Sequence, residues 1–221
     1  MSRSSDDSRN SPEHEKALRE ALSVIVPHGI SVECRVIVNE DDTLLLAKER
    51  HSIPTTNLQR LKASGAARYI ARGLLAKEGL SEFPILRASA GEPVWPRNIV
   101  GSLAHDDEVA VAAIGSVQDF LGLGIDVEPA TPLPIDIQSL VRTSADKTED
   151  TFGTGLFDHV LFCAKEAVYK AVYPLDRVIL NYDDISVDLT TQSATTTTGR
   201  RVQLASCMSP RIIVLAYIPR V

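Results

Sequence analysis

Two acidic residues interrupt a strand-like apolar run in the middle of the chain, and a third follows in a helix-like segment. Asp126 and Glu128 stand two apart in GIDVEP, so the alternation of side chains along a strand places both on one sheet face, where a hard cation could bridge them. Glu166 lies in FCAKEAVYK beside Lys165 and Lys170. Carboxylates that hold a metal against a diphosphate, with lysines neutralising its oxygens, are typical of phosphate chemistry. The pattern predicts a phosphate-handling enzyme.

Each of these residues has a plainer interpretation when it is taken alone. Asp126 and Glu128 would face water while the aliphatic residues beside them face the core. Glu166 and Lys170 are four apart on one helix face, and an ordinary pair of this kind is worth about 0.2–0.5 kcal/mol. A cation site needs several oxygen ligands, and three carboxylates with substrate oxygens and water complete the octahedron that magnesium prefers. The joint pattern favours the metal site.

The surrounding sequence predicts the elements that would position these side chains. In chain order we expect a helix over 12–26, a strand over 30–38, a helix over 57–77, a hairpin over 99–103 and 108–114 with His105, Asp106 and Asp107 at its tip, a strand over 121–128, a helix over 156–172 that Pro174 ends, and three final strands. The segment 131–154 is interpreted as a mobile loop or a short helix with a flexible lid. TTQSATTTTG is interpreted as a turn or loose loop.

This order of elements predicts an α+β fold. A long helix followed by a meander occurs in each half, so we expect two similar α/β lobes related by a pseudo-twofold, each a long helix packed on a small, mostly antiparallel sheet. Residues 1–11 are polar and are expected to form a disordered tail. We expect an N-terminal lobe over 12–115 and a C-terminal lobe, with the metal and the catalytic helix, over 116–221.

Composition limits the classes of function. With 221 residues and 44% hydrophobic content the chain can bury a substantial core. The formal net charge of −6 argues against general nucleic-acid binding, so an anion site must be a local basic cluster. The three cysteines form no C-x-x-C pair, and we see neither a signal peptide nor a membrane-spanning run, so we expect a cytoplasmic protein without disulfides.

The first long predicted helix offers a candidate basic cluster. Arg68 and Arg72 are four apart and lie on one face, and Arg60 lies about 80° away around the helix axis. The alternative is a solvated basic face with no ligand.

Four motifs in a fixed order resemble a known family. They are GEPVWP (91–96), GSLAHDD (101–107), GIDVEP (124–129) and FCAKEAVYKAVYP (162–174), and R-x-x-A-R (68–72) fits as well. Over about residues 57–175 the chain resembles the 4'-phosphopantetheinyl transferases of the siderophore-synthesis and broad-specificity, Sfp-like bacterial type. It departs from them in Cys163, where many members have serine, in the acids Asp106 and Asp107, and in the alanine before Arg68.

The resemblance implies roles by position. Asp126 and Glu128 match the metal-binding carboxylates, and Glu166 matches the glutamate that completes the metal site and activates the acceptor hydroxyl. Lys170 and Lys165 match phosphate-contacting lysines. The implied coenzyme A contacts are completed by Ala104, by His105 against the phosphates, and by Arg60, Arg68, Arg72 and Arg87 at the 3'-phosphate and adenine end, on the N-terminal lobe. The alternative for His105 is a turn residue that caps the hairpin, and for Trp95 we expect packing between the lobes.

The function implied is transfer of 4'-phosphopantetheine from coenzyme A to a serine of an apo acyl or peptidyl carrier protein, with magnesium, or manganese in its place, and release of adenosine 3',5'-bisphosphate. The expected protein is a monomer that serves siderophore, polyketide or nonribosomal peptide synthesis and binds neither nucleic acid nor membrane. One alternative is a magnesium-dependent phosphodiesterase or nuclease, which the helical lysine motif and the acidic composition disfavour. Another is a noncatalytic module that binds coenzyme A or a carrier.

Overall fold

The computed structural model describes residues 12–147 and 155–220. Its helices are α1 (Pro12–Ile25), α2 (Ala47–Ser52), α3 (Leu58–Lys77), α4 (Ile135–Val141) and α5 (Phe157–Asp176). Its strands are β1 (Ile30–Val36), β2 (Ile99–His105), β3 (Val109–Ser116), β4 (Phe120–Pro129), β5 (Ile185–Asp188), β6 (Ser193–Thr196), β7 (Arg201–Cys207) and β8 (Arg211–Pro219). The predicted tail 1–11 and residues 148–154 of the predicted mobile segment lie outside the described residues.

The N-terminal sheet is antiparallel, with strand order β1-β3-β2, and α3 packs on one of its faces. Asn57 caps α3 by accepting a 3.0 Å hydrogen bond from the Arg60 N–H, which would otherwise lack a partner at the start of the helix. Side chains alternate along β3, so one set meets α3 and the other meets the opposite layer. The first set is Ala110, Ala112 and Ile114, and the second is Val109, Val111 and Ala113.

The C-terminal sheet is antiparallel as well, with strand order β4-β8-β7-β6-β5, and α5 covers one of its faces. Its other face packs on the N-terminal sheet, with Leu123, Ile125 and Val127 of β4 in the shared core and α1 along the edge. The layers therefore run α3, N-terminal sheet, C-terminal sheet, α5. This two-lobed α+β arrangement, with one 20-residue helix on each sheet, confirms the predicted fold class.

The structure corrects two predictions about the C-terminal half. Pro174 does not end α5, which continues to Asp176 and stops at Arg177, a residue in the left-handed conformation (φ 56). Proline lacks a backbone N–H, so α5 loses one hydrogen bond at this position. This close to the end of the helix, the loss does not terminate it. The tract TTQSATTTTG contains the strand β6, so this half ends in four strands where three were predicted.

The described part of the chain has no helix that combines the length and the apolar composition needed to cross a bilayer.

β4 approaches α5 closely because glycines stand on its helix-facing side. A Cβ on Gly124 would lie 1.9 Å from the Ala167 carbonyl oxygen, which belongs to the backbone and cannot move aside. We therefore expect Gly124→Ala to lower the free energy of unfolding by about 1–3 kcal/mol or more, as overpacking does. Gly73→Ala is the matched control, because a Cβ there meets nothing within 4 Å and a helical Gly→Ala change adds about 0.8–1.0 kcal/mol. Urea unfolding would measure both, and equal stability of the two variants would contradict the close approach.

Candidate active site

β4 carries two of the predicted carboxylates on the face that meets α5. Asp126 is almost fully buried there, and its Oδ1 accepts a 2.6 Å hydrogen bond from Lys170 Nζ, which also donates to the Ile125 carbonyl at 3.2 Å. Burial alone would lower the pKa of Lys170, yet that pKa is raised because the ammonium faces Asp126. Asp126 Oδ2 is buried with no hydrogen-bond partner among the described residues. A carboxylate oxygen of this kind is costly, and a bound group that contacts it would relieve the cost.

Glu128 has a partner that sequence reasoning missed, His159 on α5. His159 Nε2 lies 3.3 Å from Glu128 Oε2, and its Nδ1 lies 2.6 Å from the Thr131 carbonyl oxygen. Burial acts to lower the pKa of His159, but these two acceptors outweigh it and raise that pKa. His159 precedes Glu166 by seven residues, about two helical turns, so helical spacing alone places both on one face of α5.

Glu166 lies on α5 opposite the β4 acids. Its Oε1 accepts a 3.3 Å hydrogen bond from the hydroxyl of Tyr182, a second residue that the sequence did not indicate. Burial, followed by the charge of Asp126, raises the pKa of Glu166. A carboxylate whose pKa is raised toward neutrality is a better proton acceptor than an ordinary surface glutamate. The site therefore contains a candidate general base.

The three carboxylates do not form a preassembled metal site. Within residues 12–147 and 155–220, no group of three or more His, Cys, Asp or Glu side chains is close enough to hold a metal ion. Asp126 binds Lys170, Glu128 binds His159, and Glu166 binds Tyr182. The donor set is nevertheless all oxygen, as magnesium prefers, and Asp126 Oδ2 is available. The residues fit a divalent cation if each glutamate turns its second oxygen toward the cation while the first keeps its present partner.

A basic cleft of about 450 Å³ lies in the N-terminal lobe. Arg60, Arg68, Arg87 and His105 line it, and no Asp or Glu of the described residues does. Arg68 is almost buried, donates to the carbonyls of Ile85 (2.8 Å) and Ser64 (3.4 Å), and has no ion-pair partner in the described part. Burial of an unpaired guanidinium is costly, so this cleft favours an anion.

The environment of the cleft lowers the pKa values of Arg68 and His105. Burial, opposed in part by Glu49 and reinforced by Arg87, lowers the pKa of Arg68. Desolvation, followed by the positive charge of Lys170, lowers the pKa of His105. The arginines therefore supply the positive charge of the cleft, and His105 adds a polar group to its wall.

A second cavity of about 520 Å³ adjoins the basic cleft and reaches Glu166, but not Asp126 or Glu128. The two share Gly91, Pro93 and Leu103 as wall residues. Glu166 and Lys170 line the second cavity, and most of its remaining wall is apolar or aromatic. A ligand that extends through both would meet arginines and no carboxylate at one end, and Glu166 with Lys170 further along.

The structure does not bring every predicted residue to this cleft. Arg72 points away and forms a 2.6 Å ion pair with Glu49, which is fully buried. Lys165 is fully buried on another side of α5, where it is bound to Asp146 at 2.8 Å. Ala104 lies in the core between the sheets. These three residues have structural contacts and do not line the basic cleft or the second cavity.

Asp106 has a structural role in the hairpin. Its Oδ1 accepts 2.7 Å hydrogen bonds from the N–H groups of Glu108 and Val109, and Arg211 of β8 lies 3.1 Å from its Oδ2. It therefore closes the turn after His105 and connects that turn to the C-terminal sheet. Asp107 is exposed.

Two family models match the chain. The 4'-phosphopantetheinyl transferase N-terminal domain matches residues 48–115, which include the basic cleft. The 4'-phosphopantetheinyl transferase superfamily matches residues 122–209, which include β4 from Gly122 onward and all of α5.

Curated proteins give the same result over most of the chain. 4'-phosphopantetheinyl transferase Npt of Nocardia iowensis is 30% identical over 180 residues, 80% of this chain and 81% of that protein. Svp of Streptomyces mobaraensis is 32% identical over 80% of this chain and 74% of its own length, and PptT of Mycobacterium tuberculosis is 39% identical over 61% and 60%. Both carry the same enzyme name. The chain belongs to the 4'-phosphopantetheinyl transferase superfamily and is an enzyme of the transferase class.

Proposed function

We propose that this enzyme transfers 4'-phosphopantetheine from coenzyme A to a serine of an apo acyl or peptidyl carrier protein and releases adenosine 3',5'-bisphosphate. The observation that carries the proposal is that the cavity lined by Arg60, Arg68 and Arg87 adjoins the one lined by Glu166 and Lys170, with three wall residues in common. Coenzyme A has a 3'-phosphate at one end and a diphosphate before its pantetheine arm, so its charges match this order.

The basic cleft would bind the adenosine 3'-phosphate. Arg68 is positioned by backbone carbonyls and is short of negative charge, and Arg60 and Arg87 have no ion-pair partner among the described residues. Guanidinium groups bind phosphate with charge-assisted hydrogen bonds. On this proposal the N-terminal lobe, over 12–115, binds the nucleotide, and the C-terminal lobe, over 116–221, carries the chemistry.

The diphosphate would lie at the junction of the cavities, where Lys170 Nζ can donate to a phosphate oxygen. Magnesium or manganese held by Asp126, Glu128 and Glu166 would supply positive charge at the diphosphate. Asp126 Oδ2 would gain a partner, and His159 would keep Glu128 oriented through the Thr131 carbonyl.

Glu166 would act as the general base. The serine proton passes to its carboxylate, the serine oxygen attacks the β-phosphorus in line, and the bond to the bridging oxygen of the diphosphate breaks, which leaves adenosine 3',5'-bisphosphate. Tyr182 orients Glu166 through its hydroxyl. Lys170 stabilises the charge that develops on the phosphate oxygens.

Incubation with coenzyme A, magnesium and several apo carrier proteins tests the proposal. Mass spectrometry should show the addition of one phosphopantetheine group to the carrier, and none to a carrier in which alanine replaces the acceptor serine. No mass gain on any carrier would overturn the proposed function. We also propose a cytoplasmic monomer that serves siderophore, polyketide or nonribosomal peptide synthesis, with the carrier near the lobe junction.

The basic cleft gives a separate prediction. Arg87→Ala should weaken coenzyme A binding about tenfold or more, since a hydrogen bond to a charged group is worth about 1.5–3 kcal/mol. Dephospho-coenzyme A, which lacks the 3'-phosphate, should bind the variant and the wild type equally. Arg97→Ala is the matched control, because Arg97 is exposed and does not line the cleft. Calorimetry with both ligands checks this, and an equal loss for both would exclude the 3'-phosphate as the partner of Arg87.

A further inference from the structure

The two edge strands of the N-terminal sheet are β1 and β2, and acidic side chains cover the outer edge of β1. The N–H of Cys34 points away from β3 and donates to Glu33 Oε1 at 3.1 Å. The N–H of Val36 donates in the same way to Glu15 Oε1 at 3.2 Å. Carboxylates that occupy edge donors prevent another extended chain from pairing there.

The hydrogen bonds of the β2–β3 hairpin show which backbone groups of β2 point outward. Near the turn, the Asp106 N–H donates to the Val109 carbonyl at 3.0 Å, and at the other end the Val117 N–H donates to the Asn98 carbonyl at 3.1 Å. Bonded and non-bonded pairs alternate along an antiparallel ladder. The even-numbered residues of β2 therefore bond to β3, and the odd-numbered ones direct their N–H and C=O groups away from it.

Two of the odd-numbered residues, Gly101 and Leu103, line the second cavity, of about 520 Å³. Their outward N–H and C=O groups have no hydrogen-bond partner among the residues that the structure describes. Ser102, between them, lines the same cavity although its side chain points to the opposite face of the sheet. Neighbours that point to opposite faces border one cavity where that cavity runs along the strand edge. The cavity therefore follows an edge of β2 that, unlike that of β1, is left open.

This edge suits an extended ligand that carries amide groups. Leu103 lines the basic cleft as well, so the edge begins where the two cavities meet and continues into the second. The outward groups of Gly101 and Leu103 repeat over about 7 Å, the length of two strand residues. The pantetheine arm of coenzyme A has two amides whose nitrogens lie about 5 Å apart in an extended chain. Burying these amides without hydrogen bonds would be costly, and most of the remaining wall is apolar or aromatic.

We propose that the open edge of β2 binds the pantetheine arm of coenzyme A through backbone hydrogen bonds from Gly101 and Leu103, as it would bind an added strand. This inference rests on the proposed function, because it takes the arm as the group that is transferred. Main-chain hydrogen bonds supply the affinity when an extended chain adds to a sheet edge. The arm then leaves the diphosphate at the junction of the cavities and follows β2.

Amide hydrogen exchange, followed by NMR, tests the edge directly. The N–H groups of Gly101 and Leu103 should exchange about tenfold or more slowly with saturating coenzyme A than with saturating adenosine 3',5'-bisphosphate, which lacks the arm. Val32, two residues before Cys34, is the matched control. Its N–H points outward at the other edge of the sheet, it does not line this cavity, and its exchange should be equal in the two complexes.

Calorimetry with a coenzyme A analogue gives an independent measurement. Esters in place of both amides of the arm remove its two donors and keep its length, and this analogue should bind about threefold to tenfold more weakly than coenzyme A. Equal exchange of Gly101 and Leu103 in the two complexes, or an ester analogue that binds as tightly as coenzyme A, would overturn the inference alone while carrier modification continues. No transfer to any carrier by the wild type would overturn the proposed function itself.

Discussion

Glu166→Gln is expected to lower kcat by about 10²–10⁴, the range that a positioned general base contributes. Glutamine keeps the size of the side chain and can still accept the hydrogen bond from the Tyr182 hydroxyl, but it cannot take the serine proton. Because Glu166 is only partly buried and has no ion-pair partner in the described part of the chain, the change should cost little stability.

The experiment distinguishes the loss of the general base from a general loss of structure. Single-turnover transfer to a carrier gives the chemical rate, and thermal unfolding of the same sample gives the stability. Glu20→Gln is the matched control, since Glu20 is exposed on α1 and, among the residues that the structure describes, pairs only with Lys16 at 3.8 Å. A Glu166→Gln enzyme that turns over within about threefold of the wild-type rate would refute the base assignment, because a lost base costs at least a hundredfold.

The β4 half of this site could be predicted because strand geometry is local. A period of two places Asp126 and Glu128 on one face whatever the surroundings are. Which layer covers that face is a tertiary fact, and the acids face α5 where the plainer interpretation placed them in water. Gly122 and Gly124, which precede the acids on β4, permit the close approach of α5, and this role is visible only when the helix is in place.

The partners of the carboxylates could not be predicted from the same spacing. His159 shares a face of α5 with Glu166, so helical spacing could have indicated His159 as a site residue. The contact of Tyr182 with Glu166 could not be predicted, because Tyr182 lies in a short 3-10 helix after α5 whose position depends on the sheet. Arg72 was assigned to a ligand because its partner Glu49 comes from α2, which the sequence pattern did not indicate.

The fold class was more predictable than the end of α5 and the number of C-terminal strands. Long amphipathic helices and alternating strands identified both lobes. Pro174 misled because it lies too near the end of α5 to stop the helix. The threonine-rich tract misled because its polar composition suggested a loop, although threonine is a good strand former. β6 forms between β5 and β7, and this pairing compensates for weak strand formers such as serine and alanine.

Lys165 gives the prediction with the largest effect on stability. Its ammonium is fully buried and donates to Asp146 Oδ2 (2.8 Å), to the Val141 carbonyl (2.9 Å) and to the Tyr182 carbonyl (3.0 Å), which uses all three of its protons. Asp146 is fully buried as well. Burial lowers the pKa of Lys165, and Asp146 opposes that effect.

Lys165→Met should therefore lower the free energy of unfolding by about 3–5 kcal/mol, because it leaves the Asp146 carboxylate buried without its cation. Asp146 also accepts hydrogen bonds from the N–H groups of Val187 and Thr143, so the damage would extend to β5 and to the segment after α4. The double variant Lys165→Met, Asp146→Asn removes the charge and keeps one acceptor oxygen, enough for one of these two N–H groups. It should recover about half of the loss or more, since replacing both members of a buried pair is often close to neutral.

Urea unfolding measures these differences, and Lys16→Met is the matched control because Lys16 is 76% exposed. Coenzyme A affinity, measured on the folded fraction, distinguishes this role from a phosphate contact. If Lys165 bound phosphate, Lys165→Met would lower the affinity for coenzyme A at least about tenfold and leave stability intact, as expected for the loss of a charged hydrogen bond. Lys165 instead holds the Tyr182 backbone, and the Tyr182 hydroxyl holds Glu166. We therefore expect the stability of Lys165→Met to fall while its affinity for coenzyme A stays nearly unchanged. The opposite pattern would show that Lys165 contacts coenzyme A.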